Sequence, residues 1–214
     1  MLIQKPKIPK DITLSSDFCR IVSEQLEAGF DIESFHFKGD TIYTPAAATL
    51  IFYHCIFEKC NFKKSKCNYI FENVVFKDCD LTNMDFASAS FISVEFINCN
   101  MTGINMTKAK LYDVAISDCS LRYAIFSNAE FIRVTLCRSN LSNSYIWEAV
   151  QKDLTFEECN LTSAELAGTM LKGIDLTSCD IDGLLLRGPE LKGVIVNEYQ
   201  ALGLSKLLGI IIKE

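Results

Sequence analysis

Residues 79–98 read CDLTNMDFASASFISVEFIN, and residues 99–118 read CNMTGINMTKAKLYDVAISD. In both segments a large apolar residue recurs at every fifth position. The same spacing extends outward from Phe71 to Val196, where 25 of 26 such positions are large and apolar and the exception is Gln151. A helix repeats every 3.6 residues and a strand every two, so neither produces this pattern. The stretch therefore predicts a repeat architecture built from five-residue units.

A second period of twenty residues lies on top of the first. Two residues before each apolar centre stands a smaller residue, and its identity recurs every twenty positions. One series is Cys79, Cys99, Cys119, Ser139, Cys159 and Cys179, another runs from Val74 to Val194, and a third runs from Ala89 to Pro189. Four units must therefore close one coil, with like residues stacked above one another. About eight coils, spaced by ~4.8 Å, predict a rod ~40 Å long that is stabilised by contacts between neighbouring coils.

Segments such as 79–83 (CDLTN), 159–163 (CNLTS) and 174–178 (IDLTS) resemble the pentapeptide repeat. The resemblance covers residues 31–196. It implies an all-β fold, a right-handed quadrilateral β-helix in which the centre and the small residue of each unit point inward. The other three residues of each unit then face solvent.

Two irregularities interrupt the repeat. Before Phe71 the register is shifted by one residue, and its centres are Phe37, Ile42, Ala47, Phe52, Phe57 and Phe62. The gap of nine between Phe62 and Phe71 predicts an irregular turn over Lys63 to Asn68. Residues 147–152, which contain the polar centre Gln151, are predicted to form a local bulge or kink.

The two ends of the chain leave the five-residue period. Residues 16–28 are predicted to form a capping helix, because Phe18, Ile21, Val22 and Leu26 share one face and Gly29 follows. A cap is needed because a terminal coil otherwise exposes its core and its unpaired backbone. We therefore divide the chain into an N-terminal segment with the capping helix (1–30), the β-helix (31–196) and a C-terminal tail (197–214).

The tail combines a predicted amphipathic helix over residues 198–208 with the apolar run Ile210 to Ile212. An exposed run of this kind on a monomer favours burial against a partner. The sequence from Leu191 to Ala201, followed by Leu207 to Ile210, is similar to the C-terminus of the Qnr quinolone-resistance proteins. That resemblance implies a two-fold homodimer formed by the tail. The expected interface residues are Tyr199, Leu202, Leu204, Leu207, Leu208, Ile210 and Ile212.

Charge is distributed unevenly along the chain. The net charge is −6, and residues 71–196 contain 17 Asp and Glu against 10 Lys and Arg, whereas Lys5, Lys7 and Lys10 lie in a segment without acidic residues. An acidic repeat body argues against direct binding of nucleic acid. Candidate members of an acidic face that imitates a line of phosphates are Asp78, Asp80, Asp118, Glu157, Glu158, Asp180 and Asp182. An ordinary solvated face explains the same residues.

The sequence offers no catalytic constellation. We find no phosphate-binding loop, no Ser-His-Asp set and no Cys-His pair, so we expect no enzyme activity, no cofactor and no metal. Cys55, Cys60 and His54 lack the spacing of a zinc knuckle. The ladder of cysteines formed by Cys60 and the Cys79 series is interpreted as small apolar filler of the core. Ten cysteines without a secretory signal or an apolar run long enough to span a membrane predict a cytoplasmic protein with reduced thiols.

Two functions remain open at this stage. The resemblance to Qnr implies a DNA mimic that binds a type II topoisomerase, DNA gyrase, and relieves its poisoning by quinolones. The alternative is a non-catalytic scaffold that binds an unrelated protein partner along one face. The expected anchors of such a scaffold are the aromatic residues Tyr112, Tyr123, Tyr145 and Trp147.

Overall fold

A computed structural model describes residues 3–44, 48–63, 67–211 and 213. The chain winds into parallel coils, and the right-handed quadrilateral β-helix expected from the sequence is confirmed. The solenoid makes about seven turns, against the eight expected, and a 3₁₀-helix at Gly188–Leu191 interrupts its last coil before Ile195 pairs with Asp175. None of the helices in the described ranges has the length and apolar character needed to span a bilayer.

Parallel strands form two of the four sides of the middle coils, and the first coils have a short strand pair on a third side. The first coils contain the short strands β1 (Thr13–Ser15), β2 (Ile32–Glu33), β3 (Phe35–Lys38), β4 (Thr41–Tyr43), β5 (Thr49–Tyr53), β6 (Ile56–Glu58) and β7 (Asn61–Lys63). The later coils contain longer strands, β8 (Asn68–Lys77), β9 (Ser90–Ile97), β10 (Lys110–Ser117), β11 (Glu130–Cys137) and β12 (Val150–Glu157). Each of the later strands pairs with the next in an offset of twenty residues, such as Val74 with Val94 and Val94 with Val114.

We name the four sides by the coil of residues 79–98. Side A is 79–83, side B is 84–88, side C is 89–93 and side D is 94–98, and each name includes the equivalent residues of the other coils. The last residue of each side turns the corner with a positive φ, as Asn83, Ser88, Ser93 and Asn98 do. Sides C and D carry the long strands. Side A carries the short pair β4 and β7 in the first coils, and elsewhere sides A and B are joined by isolated parallel bridges such as Asp80 with Asn100.

The inward residues form one continuous core. The centres and the small residues of the repeat are buried, and phenylalanine rings stack between coils in its N-terminal half. The ring centroids of Phe57 and Phe76 are 5.1 Å apart, and those of Phe76 and Phe96 are 4.8 Å apart with nearly parallel planes. Because each ring contacts the equivalent ring of the next coil, burial is complete only when coils stack.

The shifted register before Phe71 is confirmed. Phe52 pairs with Phe71 and Phe57 with Phe76, an offset of nineteen residues in place of twenty. In the predicted irregular turn, Lys63 ends β7 and Asn68 begins β8, while residues 64–66 lie outside the described residues. Ala47, expected as a centre, also lies outside them.

The bulge predicted at residues 147–152 is absent from the pairing between β11 and β12. Val150 pairs with Glu130 and Gln151 with Phe131, so the register continues without an extra residue. Gln151 remains partly exposed, and its Nε2 donates to the carbonyl of Met170 at 3.1 Å. The polar centre is tolerated because the amide group of its long side chain reaches a backbone acceptor, which makes a bulge unnecessary.

Helix α1 (Phe18–Ala28) covers the first coil. Its N-terminus is capped by Asp17, whose carboxylate accepts from the Arg20 amide, and the helix ends at Gly29 with φ 73°. The side chains of Phe18, Ile21 and Val22 are buried as expected. Leu26, expected on the same face, is 38% exposed in the last turn of the helix, so the buried face is limited to the first two turns.

Candidate interaction surfaces

The candidate acidic residues lie in four columns along the rod. Asp78, Asp118 and Glu158 share the column at the corner between sides D and A, each two coils from the next, and Glu157 lies beside Glu158. Asp80 and Asp180 lie in one column on side A, five coils apart. Four uncharged residues, Asn100, Ser120, Asn140 and Asn160, separate them. Asp182 lies two residues beyond Asp180 on the same side, in the next outward-facing column. The fold therefore places the seven residues on side A and at or beside its corner with side D, but it does not gather them into one cluster.

Basic residues stand within the same corner column. The guanidinium of Arg138 forms a bidentate ion pair with Asp118, with Nε to Oδ1 at 2.7 Å and Nη2 to Oδ2 at 2.8 Å. These hydrogen bonds from Arg138 hold the pKa of Asp118 below its ordinary value. Lys59 occupies the equivalent corner of the preceding coil. The column thus contains both signs. Among the described residues its carboxylates without an ion pair are Asp78 and Glu158, and Glu157 lies beside Glu158.

The C-terminal tail packs on the last coil through a polar anchor. Asn197 and Gln200 form a capping box at the start of helix α2 (Glu198–Ser205). The Gln200 Nε2 group also donates to the carbonyls of Leu176 and Cys179, at 2.8 and 2.9 Å. The helix predicted over residues 198–208 is shorter than expected. It ends at Ser205, and a 3₁₀-turn continues from Lys206 to Leu208.

The tail residues expected at a dimer interface differ in exposure. Leu204 is buried against its own chain. Five others are exposed in the single chain: Tyr199, Leu202, Leu207, Leu208 and Ile210. Ile212 lies outside the described residues. A groove of about 480 Å³ runs between α2 and residues 179–185, so an apolar surface and a concave site lie side by side at this end of the rod.

The aromatic residues expected as scaffold anchors do not form one patch. Tyr145 and Trp147 lie on side B with their ring centroids 5.1 Å apart, and the Trp147 indole donates to Glu165 at 2.8 Å. Tyr123, at the corner of sides A and B, lies under the Arg122 guanidinium at 5.5 Å. Tyr112 lies near the opposite corner and donates its hydroxyl to Glu130. Three of the four residues therefore lie on or beside one face.

The N-terminal segment was not recognised as a structural element from the sequence. Residues 3–12, which we call the strap, run in extended form along the corner between sides C and D. The Lys7 amide donates to Asn73 Oδ1 at 3.0 Å, and the Gln4 amide donates to Asp113 Oδ1 at 3.2 Å. The only sequence signal for this element is the pair of prolines three residues apart, Pro6 and Pro9, which favours an extended polyproline conformation.

The cysteine ladder lies inside the core. The seven buried cysteines are Cys55, Cys60, Cys79, Cys99, Cys119, Cys159 and Cys179. Six of these thiols, all except that of Cys179, donate to backbone carbonyls, as Cys79 Sγ does to Phe57 O at 3.3 Å. Burial raises the pKa of Cys55 to about 12 and that of Cys159 to about 11. The thiolate forms of these two residues are therefore disfavoured, as expected for packing residues, whereas a hydrogen bond with Cys99 lowers the pKa of Cys119.

The described residues contain no group of three or more metal-ligating side chains. His54 Nδ1 lies 2.7 Å from the carbonyl oxygen of Lys7 in the strap. Since a carbonyl only accepts, the ring donates from Nδ1. The His54 side chain therefore holds the strap through this hydrogen bond.

Comparison with known proteins places the chain in a family. A family model described as a pentapeptide repeat region matches residues 50–121 and 69–146, and one described as pentapeptide repeats in eight copies matches residues 154–188. None of the curated proteins matches the chain.

Several solved structures are similar to this chain. A trypsin-treated variant of QnrB1, a plasmid-mediated fluoroquinolone resistance protein, is 25% identical, with 87% of this chain and 91% of that chain covered and a TM-score of 0.45. Full-length QnrB1 is 21% identical over 98% and 97% of the two chains, with a TM-score of 0.38. HetL from the cyanobacterium Nostoc, involved in heterocyst differentiation regulation, is 15% identical over 83% and 96%, with a TM-score of 0.32. The family models match more than half of the residues of this chain, and all of the matched residues lie within the β-helix. The chain therefore belongs to the pentapeptide-repeat family.

Proposed function

We propose that this protein is a non-catalytic, dimeric DNA mimic that binds the DNA-binding surface of a type II topoisomerase, DNA gyrase, and protects it from quinolones. The observation that carries the proposal is the placement of acidic side chains outward from a regular rod. Asp78, Glu157 and Glu158 flank side A at one corner, and Asp180 and Asp182 lie on it near the C-terminal end. A basic surface shaped to hold a duplex attracts such a rod electrostatically.

The regularity of the coils supports a mimic of duplex DNA. The twenty-residue register holds from β8 to β12 without an insertion, so side A remains straight across these coils. Its central column is formed by short polar residues, which leave the carboxylates at the corners accessible. Because these groups are solvent-exposed, the attraction should weaken as salt increases.

The apolar tail supports a dimer as the active form. Tyr199, Leu202 and Leu208 are at least half exposed, and Tyr199 also lines the groove beside α2. An apolar surface of this kind at one end of a rod fits a two-fold contact, which doubles the length of the acidic surface. The similarity of the tail sequence to Qnr proteins supports the same arrangement.

The direct test is a gyrase supercoiling assay titrated with the protein, with and without a quinolone. We expect supercoiling to be restored in the presence of the drug, or inhibited in its absence, at micromolar protein or below. The double variant Asp78→Lys/Glu158→Lys should weaken either effect at least tenfold. The matched control is Glu27→Lys/Asp153→Lys, which changes the net charge equally but lies away from side A and should act like the unaltered protein.

An absence of any effect on gyrase, with a folded dimer confirmed, would contradict the topoisomerase proposal. Equal loss in both double variants would mean that only net charge matters and would contradict the assignment of side A.

A protein scaffold is the second candidate, and the aromatic cluster on side B favours it. Tyr123 and Trp147 are 48% and 41% exposed, and Arg122 and Glu165 lie beside them. Exposed aromatic residues bordered by both signs of charge are typical of protein-binding sites. This function predicts that Trp147→Ala abolishes partner binding while the Asp78→Lys/Glu158→Lys variant retains it.

A further inference from the structure

The strap follows the coil spacing of the solenoid. Its Lys7 amide contacts Asn73 and its Gln4 amide contacts Asp113, so three residues of strap span two coils. Two coil spacings are about 9.6 Å, and three residues in the polyproline conformation rise about 9.3 Å. A polyproline helix has three residues per turn, so amides three positions apart point in the same direction. The corner between sides C and D therefore fits a polyproline segment in register.

The strap buries the polar residues beneath it. Asn73, Ser93 and Asp113 occupy successive corner positions and are only 9%, 4% and 6% exposed. The next two residues of the same column, Arg133 and Asp153, lie beyond the strap and are partly or fully exposed. The buried polar column is thus a groove whose acceptors are satisfied by the backbone of the strap.

The contacts of the strap favour a peptide that hydrogen-bonds through its backbone amides and carbonyls and carries positive charge. The strap donates two amides and accepts a hydrogen bond from His54 through the Lys7 carbonyl. Lys5 Nζ lies 3.9 Å from a carboxylate oxygen of Glu95, and the Asp113 carboxylate in the groove is already paired with Arg133. A single exposed ion pair of this kind contributes little, so the buried backbone contacts carry most of the recognition.

We propose that this corner is a peptide-binding groove for extended, proline-containing basic segments, which the chain's own N-terminus occupies. A segment of the same chemistry from another protein binds there by displacing the strap. Because the strap is covalently attached, it acts at a high local concentration and keeps the groove closed to weak ligands. The groove lies on a different corner from the acidic side A and the apolar tail, so its occupancy is independent of the proposed function.

The experiment uses the full-length protein and a fluorescein-labelled peptide with the sequence of residues 2–11. In the chain, Lys7→Pro removes the amide that Asn73 accepts while keeping the extended backbone. Ile8→Pro is the matched control, since the Ile8 amide makes no hydrogen bond to any residue in the described ranges. We expect fluorescence anisotropy to show the labelled peptide binding the Lys7→Pro chain about tenfold more tightly than the unaltered or Ile8→Pro chains, because loss of a buried hydrogen bond weakens the competing strap.

A second pair of variants tests the groove itself. In the Lys7→Pro chain, Asn73→Gly removes the side-chain acceptor. Glycine tolerates the positive φ of 55° at this position, so the backbone is not strained. Asn128→Gly makes the same change at another corner with the same φ. Peptide binding should be lost with Asn73→Gly and retained with Asn128→Gly. Equal binding to all variants, or no binding to a folded Lys7→Pro chain, overturns the proposal.

Discussion

At the scale of single residues, the corners of the coil set the strictest backbone requirement. Of the residues that the structure describes, twenty-one other than glycine have a positive φ, and most of them follow the five-residue period. Asn, Asp and Ser are frequent there because their short polar side chains tolerate the left-handed conformation. Larger residues such as Lys108 and Tyr123 occupy the same conformation at a higher conformational cost.

Lys108→Gly should stabilise the protein. Lys108 has φ 58° and is solvent-exposed, so glycine relieves the left-handed strain without removing a buried contact. We expect the free energy of unfolding in urea to rise by about 0.5–1 kcal/mol. The control Lys110→Gly, in the exposed first position of β10, should lower it by a similar amount because glycine weakens a strand. A fall with both substitutions would contradict the strain argument.

Asp113 should make stability depend on pH. Its carboxylate accepts from Arg133 Nε and Nη2 at 2.7 and 2.6 Å, and these bonds hold its pKa below the ordinary value. A carboxyl with a depressed pKa in the folded state contributes stability that is complete above about pH 4, the unfolded pKa, and is lost as pH falls through the folded pKa.

The corresponding measurement compares the unaltered protein with Asp113→Asn in urea at pH 7, 4 and 2.5. The difference in unfolding free energy should be large at pH 7 and shrink below pH 4. A difference that is constant with pH would show that the Asp113 ion pair contributes no stability.

Thiol reactivity should separate the cysteines by burial. Cys19 is exposed, Cys67 and Cys137 are half-buried, and the remaining seven, the six of the ladder and Cys55, are buried. A chromogenic disulfide reagent at pH 8 should therefore react rapidly with one thiol, slowly with two more, and with all ten only in denaturant. Rapid reaction of the ladder cysteines in the folded protein would show that the coils open locally.

At the scale of elements, helix α1 determines how the solenoid begins. Phe18 inserts between the rings of Phe37 and Phe52, with centroids 5.1 and 6.2 Å away. Its amide donates to Asp40 Oδ2 at 2.6 Å, which joins the helix N-terminus to the first coil. The helix thereby covers core residues that no preceding coil buries.

Phe18→Ala should remove this cover. The side chain is fully buried, so its loss leaves a cavity and should lower the free energy of unfolding by about 3–5 kcal/mol. Leu26→Ala, on the same helix but 38% exposed, should cost much less. Hydrogen exchange should show the extra opening concentrated in β2 to β5. Equal effects of the two substitutions would contradict a specific role of Phe18 as the cap of the core.

At the scale of the whole molecule, the two ends of the rod differ. The N-terminal end is closed by α1 and crossed by the strap, whereas the C-terminal end carries α2, the groove and exposed apolar side chains. Ile210 and Ile211 are in no strand of the single chain. An intermolecular contact at this end would give them a partner.

Leu202→Asp should convert the proposed dimer to a monomer. Leu202 is half exposed on α2, and a charge at a buried apolar interface is strongly unfavourable. Light scattering after gel filtration should give twice the chain mass for the unaltered protein and the chain mass for the variant. Met170→Asp changes an equally exposed apolar residue outside the tail and should remain dimeric. A monomeric mass for the unaltered protein would contradict the dimer, and the gyrase assay would then be interpreted for a single rod.

The sequence alone determined the solenoid, its four sides, the shifted register before Phe71 and the capping helix. These features depend on local backbone preferences and on contacts between like positions nineteen or twenty residues apart, so a simple period reveals them. Only the tertiary structure showed the strap, whose contacts join residues 66 and 109 positions apart. It also showed that Leu204 packs inward while Leu202 does not, and that Gln151 reaches a carbonyl in place of forming a bulge. Such features follow from individual side chains meeting distant groups in space, and no repeat in the sequence encodes them.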